Sequence, residues 1–184
     1  MIEAPQTPTR AGTELIPFEP RHIDATYDWV TNPQLRHDFL LRGEITPEGH
    51  RQYFAKLLTD QTQALYAITF AGTHVGNCGF KHLDPIRRRA ELWIYLGSYQ
   101  HHGKGIGNSA TSLLIEKGFG ELSLELIYLH VAEFNEKAVA LYQRSGFQVT
   151  PCDGCLEWGD RSIKILHMEL PADRWRALCP KGNP

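Results

Sequence analysis

The sequence lacks any apolar run of the roughly 18 residues that a membrane-spanning helix requires. Its first stretch, Met1 to Gly12, is rich in Pro and Thr and has no apolar segment of signal-peptide type. It also lacks a charge surplus. Lys plus Arg number 19 against 21 Asp plus Glu, a formal net charge of -2 with no obvious basic stripe, which argues against a general nucleic-acid binder. Cysteine is sparse: Cys78, Cys152, Cys155 and Cys179 contain one C-x-x-C, but no second ligand pair stands at zinc-ribbon spacing. The expectation is reduced thiols, a cytoplasmic location, no metal and no membrane partner. With 42% hydrophobic and 22% charged residues, the chain of 184 has ordinary globular composition. That suits one domain over 13–170, between a loose leader, 1–12, and a short cap and loose tail, 171–184.

Periodicity orders the elements. Thr13 to Phe18 reads as a first strand. A helix over His22 to Val30 has Ile23, Tyr27 and Val30 at helical spacing, with Asn32-Pro33 as its stop. Thr46-Pro47-Glu48 is an N-cap followed by proline at the first helical position, opening a helix with Tyr53, Phe54, Leu57 and Leu58 on one face. Ala64 to Phe70, Thr73 to His82 and Arg89 to Leu96 form an antiparallel meander, with Ala71-Gly72 as its first tight turn. A glycine-rich stretch then leads into a helix carrying Ala110, Leu113, Leu114 and Phe119. Strand Leu126 to Val131 and helix Glu136 to Arg144 follow, and Phe147 to Leu170 fits two strands about Trp158-Gly159-Asp160.

The glycines at 103, 105 and 107 lie between a strand and a helix, where backbone N–H groups and the helix dipole favour an anion such as phosphate. A ligand-free flexible connection is the alternative. A P-loop is excluded, because Ser98 and Gly105 occupy positions that require Gly and Ser or Thr. Gly105-x-Gly107-x-x-Ala110 matches a dinucleotide fingerprint in form, with Glu125 about twenty residues on, but short turn-linked strands precede it where that site needs a doubly wound parallel sheet.

Gly103-Lys104-Gly105-Ile106-Gly107 at a helix start, followed by Asn135-x-x-Ala138-x-x-Leu141-Tyr142-x-x-Ser145-Gly146-Phe147, resembles the two signature segments of the GNAT superfamily of acetyl-coenzyme A dependent N-acetyltransferases. Val75-Gly76-Asn77-Cys78-Gly79-Phe80 and Arg89-Ala90-Glu91-Leu92 are similar to the subgroup of ribosomal-protein alanine acetyltransferases, and the likeness runs from about Leu15 to Leu170. It implies an α/β (α+β) GNAT fold: a mixed, mostly antiparallel sheet splayed at its centre, with helices on both faces. It also implies acetyl-coenzyme A as co-substrate, bound by His102, Gly103, Lys104, Gly105, Ile106 and Gly107, by Tyr95 and Leu96 at the end of the preceding strand, and by Asn135 and Ala138. His102 stands where the family usually has Arg, Gln or Trp. Adjacent His101 and His102 point in different directions without a third ligand, so a solvated pair is expected and not a metal site.

Acetyl transfer to an amine requires a neutral amine, a stabilised oxyanion and a proton for the departing thiolate. The resemblance assigns the last to Tyr142, whose hydroxyl is protonated at neutral pH; spacing alone reads Tyr142 as a core aromatic. Glu91 is the candidate to relieve the amine of its proton, directly or through water, if it shares a cleft face with Trp93 and Tyr95; a solvated strand face is the alternative. For the oxyanion, the resemblance implies a backbone N–H near Tyr95 or Leu96. Asn135 has a second reading as an N-cap for the helix from Glu136. Acceptor choice falls to Trp93 and to the region Trp29 to Gln61, including Trp29 and Arg36, where basic residues either contact an anionic group or form a solvated face. The expected acceptor is a primary amine of a peptide, a protein N terminus or a small molecule, with a nucleotide-linked amino sugar as the alternative. A non-catalytic acyl-coenzyme A sensor is the rival from another class. A monomer or homodimer is expected.

Overall fold

Strand alternation and turn chemistry set the sheet. The computed structural model describes residues 12–178 other than 98, 102, 152, 153, 159 and 160. Among them, β1 (Thr13–Pro17), β2 (Ala64–Phe70), β3 (Thr73–Asp84), β4 (Arg89–Leu96), β5 (Leu126–Ala132), β6 (Gln148–Val149), β7 (Gly154–Trp158) and β8 (Arg161–Pro171) form one sheet. Its order is β1-β2-β3-β4-β5-β8-β6, with β7 also on β8. All neighbours are antiparallel except β4 and β5, which are parallel. Between β2 and β3 both turn residues have positive φ, Ala71 at 49° and Gly72 at 77°, as a two-residue hairpin matched to strand twist requires. The expected turn between β7 and β8 includes 159 and 160, outside the described residues.

The helices are α1 (Ile23–Val30), α2 (Pro33–Asp38), α3 (Pro47–Leu57), α4 (Ile106–Phe119), α5 (Glu136–Arg144) and α6 (Ala172–Leu178). One expectation is corrected. Asn32-Pro33 ends one helix but also begins another: Asn32 Oδ1 accepts from Gln34 N–H at 2.9 Å and Leu35 N–H at 3.4 Å, and Pro33 takes the first position of α2. After β8 the chain forms α6, where Ala172 is buried and Trp175 stacks on Phe119 with ring centroids 5.0 Å apart, and residues 179–184 lie outside the described residues. The leader, 1–11, lies outside the described residues.

Strand alternation divides the sheet into two faces. On one, α4 buries Ile106, Ala110, Leu114 and Ile115 in the main core with Phe80, Leu92, Ile94, Ile127 and Leu129. Gly118 lets the sheet approach, because a Cβ there would stand 2.8 Å from both Phe80 and Ile127. On the other face a smaller cluster of Phe18, Ile23, Phe54 and Ala67 holds α1 and α3. Asn77 ties that face to α1, donating to Thr26 Oγ1 at 2.8 Å and to the Tyr95 hydroxyl at 2.9 Å. No helix among the described residues is long and apolar enough to cross a membrane.

Candidate active site

The site begins where the parallel pair fails. β4 and β5 match only at Arg89 with Leu126, Ala90 with Ile127 and Glu91 with Tyr128; beyond Glu91 the two strands share no further register. β4 stays paired with β3 as far as Leu96 opposite Gly76. The gap is therefore a wedge with one ordered backbone edge. Gly97 N–H donates to Val75 O at 2.8 Å, so the alternation of a strand turns the Leu96 N–H and C=O away from β3 and toward the wedge. The same parity turns Tyr95 N–H toward β3. Of the two residues expected to supply an oxyanion donor, Leu96 has the suitable direction.

Past β4 the chain reaches the glycine stretch and α4. Gly105 occupies the N-cap position in the left-handed region, φ 77°, and no side chain caps the helix. The first N–H with a carbonyl one turn back is that of Ser109, which donates to Gly105 O at 3.0 Å. The N–H groups of Ile106, Gly107 and Asn108 are thus, among the described residues, the uncompensated donors of the helix start. A Cβ at Gly103, Gly105 or Gly107 would meet nothing within 4 Å, so the surface beside these donors is open. A diphosphate fits such a place. Ile106 itself is buried in the core, so its backbone and not its side chain faces the loop. Lys104 is exposed, and His102 lies outside the described residues.

Glu91 closes the apex of the wedge, on the face that carries α1. Its side chain is only 8% exposed and is surrounded by Lys81 Nζ at 3.0 Å, His130 Nδ1 at 3.0 Å and His82 Nδ1 at 3.2 Å. Burial alone raises its pKa, but the His130 hydrogen bond and the Lys81 ammonium outweigh that, and the carboxyl sits below its ordinary value. It is an ionised acceptor whose two oxygens already have partners. Trp93 and Tyr95 share this face and stack at 5.9 Å, and Phe39 meets Tyr95 edge-on at 5.5 Å. Burial raises the Tyr95 hydroxyl well above the usual phenol range. The expected grouping of Glu91, Trp93 and Tyr95 is present.

Sequence reasoning left out Lys81, His82, His130 and His167. The last two meet across β5 and β8, with His130 opposite His167 and ring centroids 4.9 Å apart. Their signal is one of register: once Glu91 pairs with Tyr128, residue 130 falls on the same face one step further along the opening.

The other expected residues divide. Tyr142 is buried in the main core beside Phe147, its hydroxyl has no hydrogen-bond partner among the described residues, and burial drives its pKa far above the ordinary phenol value. Asn135 caps α5, its Oδ1 accepting from Ala138 N–H at 3.2 Å, while Ala138 is half-buried against the core. Trp29 packs on the end of β4: a Cβ at Gly97 would stand 1.8 Å from its indole, and His74 lies 4.7 Å from it, ring to ring. Arg36 donates from Nη2 to Gly43 O and Leu41 O, pinning the loop after α2. Trp29 and Arg36 thus have framework contacts of their own. Cys155 is an exposed thiol, and Cys152 and Cys179 lie outside the described residues.

Comparison with known proteins agrees with this architecture. Residues 13–148 match the family model described as an acetyltransferase (GNAT) domain. The spermidine N(1)-acetyltransferase of Escherichia coli K12 is 32% identical over 96 residues, covering 52% of this chain and 51% of that protein. The putative ribosomal N-acetyltransferase YdaF of Bacillus subtilis is 31% identical over 106 residues, covering 58% of this chain and 55% of the relative. The chain thus spans about half the length of the curated relatives it matches. In structure, spermidine N-acetyltransferase from Vibrio cholerae in complex with CoA and spermine superposes with a TM-score of 0.81 at 22% identity, over 89% of this chain and 98% of that one. With its splayed sheet, glycine-led α4 and the matched span of 13–148, the chain belongs to the GNAT acetyltransferase family.

Proposed function

We propose that this protein transfers an acetyl group from acetyl-coenzyme A to a primary amine by direct attack when both are bound. The observation that carries the reading is the wedge between β4 and β5, which joins an uncapped helix start to a buried carboxylate. The N–H groups of Ile106, Gly107 and Asn108 hold the diphosphate, with Gly103 and Gly105 leaving room for it and Lys104 adding charge. Bound there, acetyl-coenzyme A supplies the activated acyl group. The pantetheine arm runs along the open β4 edge, near Asn135 and Ala138, and the Leu96 N–H is the donor for the oxyanion. Tyr142 gives its proton to the thiolate. Its buried phenol stays protonated across the physiological range, as an acid requires.

The acceptor enters on the opposite face, against Trp93, Tyr95 and Phe39. Two of the relatives are named for acetylating spermidine and one for ribosomal acetylation, which supports an amine acceptor in general. The charge around Glu91 narrows it. Lys81 and His130 already pair with that carboxylate, which leaves less negative charge there for a second ammonium and favours a peptide or small molecule with one amine over a polycation. Thiol release from acetyl-coenzyme A, measured across N-terminal peptides, monoamines, polyamines and nucleotide-linked amino sugars, tests both statements. Release with single amines is expected. A preference for polyamines overturns the narrowing, and silence with every acceptor despite coenzyme A binding favours a non-catalytic sensor.

A further inference from the structure

Glu91 is buried with partners on both oxygens, and one of those partners reaches outward. His130 Nδ1 lies 3.0 Å from Glu91 Oε1, and the imidazole is 45% exposed against 8% for the carboxylate. An ionised carboxylate only accepts, so Nδ1 must carry the hydrogen of this bond, and Nε2 then keeps its lone pair. Nε2 has no hydrogen-bond partner among the described residues. The residue stands on β5, two places past Tyr128, the last to pair with β4, on the strand that forms the other arm of the wedge.

We propose that His130, held in one tautomer by Glu91, is the group that accepts the acceptor's ammonium proton. The inference rests on the acetyl-transfer reading and names a catalytic residue within it. An arriving R–NH3+ gives one proton to His130 Nε2, and the imidazolium is stabilised by the Glu91 carboxylate it already faces. The freed nitrogen lone pair attacks the acyl carbon, forming the C–N bond. The C–S bond then breaks, its electron pair leaving on sulfur, which takes the Tyr142 proton. The second proton carried by the new C–N nitrogen restores the phenol, and His130 releases its own to solvent. Glu91 is thereby a positioning residue.

The groups around His130 are Arg89 and Glu91 on β4, Lys81 and His82 on β3, Tyr128 on β5, and His167 and Glu169 on β8. His82 also bonds Glu91 but sits on β3, beyond β4 from the wedge.

Two measurements test the assignment. The first follows kcat/KM for an alkylamine of pKa about 10 between pH 6 and 10. With His130 as acceptor, the wild-type rate levels off well below the amine's pKa. In His130→Gln it is lower by roughly 100-fold near pH 7 and climbs about tenfold per pH unit, as expected when only free amine reacts. An unaltered plateau in His130→Gln overturns the proposal. The second measurement needs no turnover: imidazole nitrogen NMR of the wild-type protein at pH 8 should show His130 with Nδ1 protonated and Nε2 bare. A majority Nε2–H tautomer overturns the assignment whatever the activity. Absence of thiol release from the wild type with every acceptor instead overturns the acetyl-transfer reading, and the tautomer still decides the His130 arrangement.

Discussion

β4 has two edges, and they are treated differently. Toward β3 it is paired from Glu91 to Leu96, and its alternate side chains Leu92 and Ile94 lie with Phe80 in the core under α4. Toward β5 it is paired over three residues and then left open. One strand thus serves as framework on one side and as binding surface on the other. The difference teaches where sequence changes act: along the β3 edge they are felt as stability, and along the β5 edge as chemistry.

The sharpest break in that contrast comes from the framework. Phe80 is fully buried against Gly118, on the face of the sheet that carries α4. Phe80→Ala should cost about 3–5 kcal/mol in denaturant unfolding, with coenzyme A affinity preserved in whatever fraction stays folded. A loss below about 1 kcal/mol would mean that the core relaxes around the gap and that the β3 edge is less rigid than its pairing indicates. Tyr142→Phe tests the other edge. It removes one hydroxyl that has no partner among the described residues, so stability should hold within about 0.5 kcal/mol. Turnover should fall roughly 100-fold at unchanged coenzyme A Kd. Equal turnover would return Tyr142 to the role of a core aromatic.

Gly105→Ala probes the helix start. At φ 77° an alanine is strained by about 1–2 kcal/mol, and relaxing it turns the Ile106 to Asn108 donors away from their common point. Calorimetry with coenzyme A should therefore show about tenfold weaker binding. Unchanged affinity would place the diphosphate elsewhere.

Local chemistry was readable where a residue acts on its own neighbourhood. Asn135, Thr46 and Gly105 each stand at the helix start that sequence assigned to them. Ala71-Gly72 makes its turn for the same reason. Asn32-Pro33 was legible only in half, because a proline that stops one helix is equally suited to begin the next. The wedge itself is not local. It depends on β4 and β5, more than thirty residues apart, losing register after Glu91, and no side-chain pattern in either strand announces that. His130 was hidden for this reason, and so was the pairing of Glu91 with Lys81 and His82 across another strand pair. The framework contacts of Trp29 and Arg36, on Gly97 and on the Gly43 carbonyl, are equally non-local and equally unannounced.

The smallest expected effect separates the acid responses of the two regions. Under α1 and α3, burial lowers the pKa of His22, His50 and His74. The unfolded chain therefore binds more protons than the folded one once pH drops below about 6.5. Stability from these groups is complete above that value and declines as pH falls toward their lowered folded pKa values. Glu91 adds a loss of the same sign at more acid pH, below about 4.5, because its carboxyl is also depressed. A plot of Tm against pH should be flat from 8 to 7 and fall in two stages. His50 is the informative member, for it is buried with neither ring nitrogen partnered among the described residues, packed between Tyr27 and Phe54. Replacing it by an apolar group of similar size, His50→Leu, removes two desolvated nitrogens and one proton uptake site. The variant should gain about 1 kcal/mol at pH 6, less at pH 8, and lose part of the first stage while keeping the second. A variant less stable at both pH values would show that the imidazole makes contacts in solution that its two bare nitrogens do not reveal, and the first stage would then belong to His22 and His74.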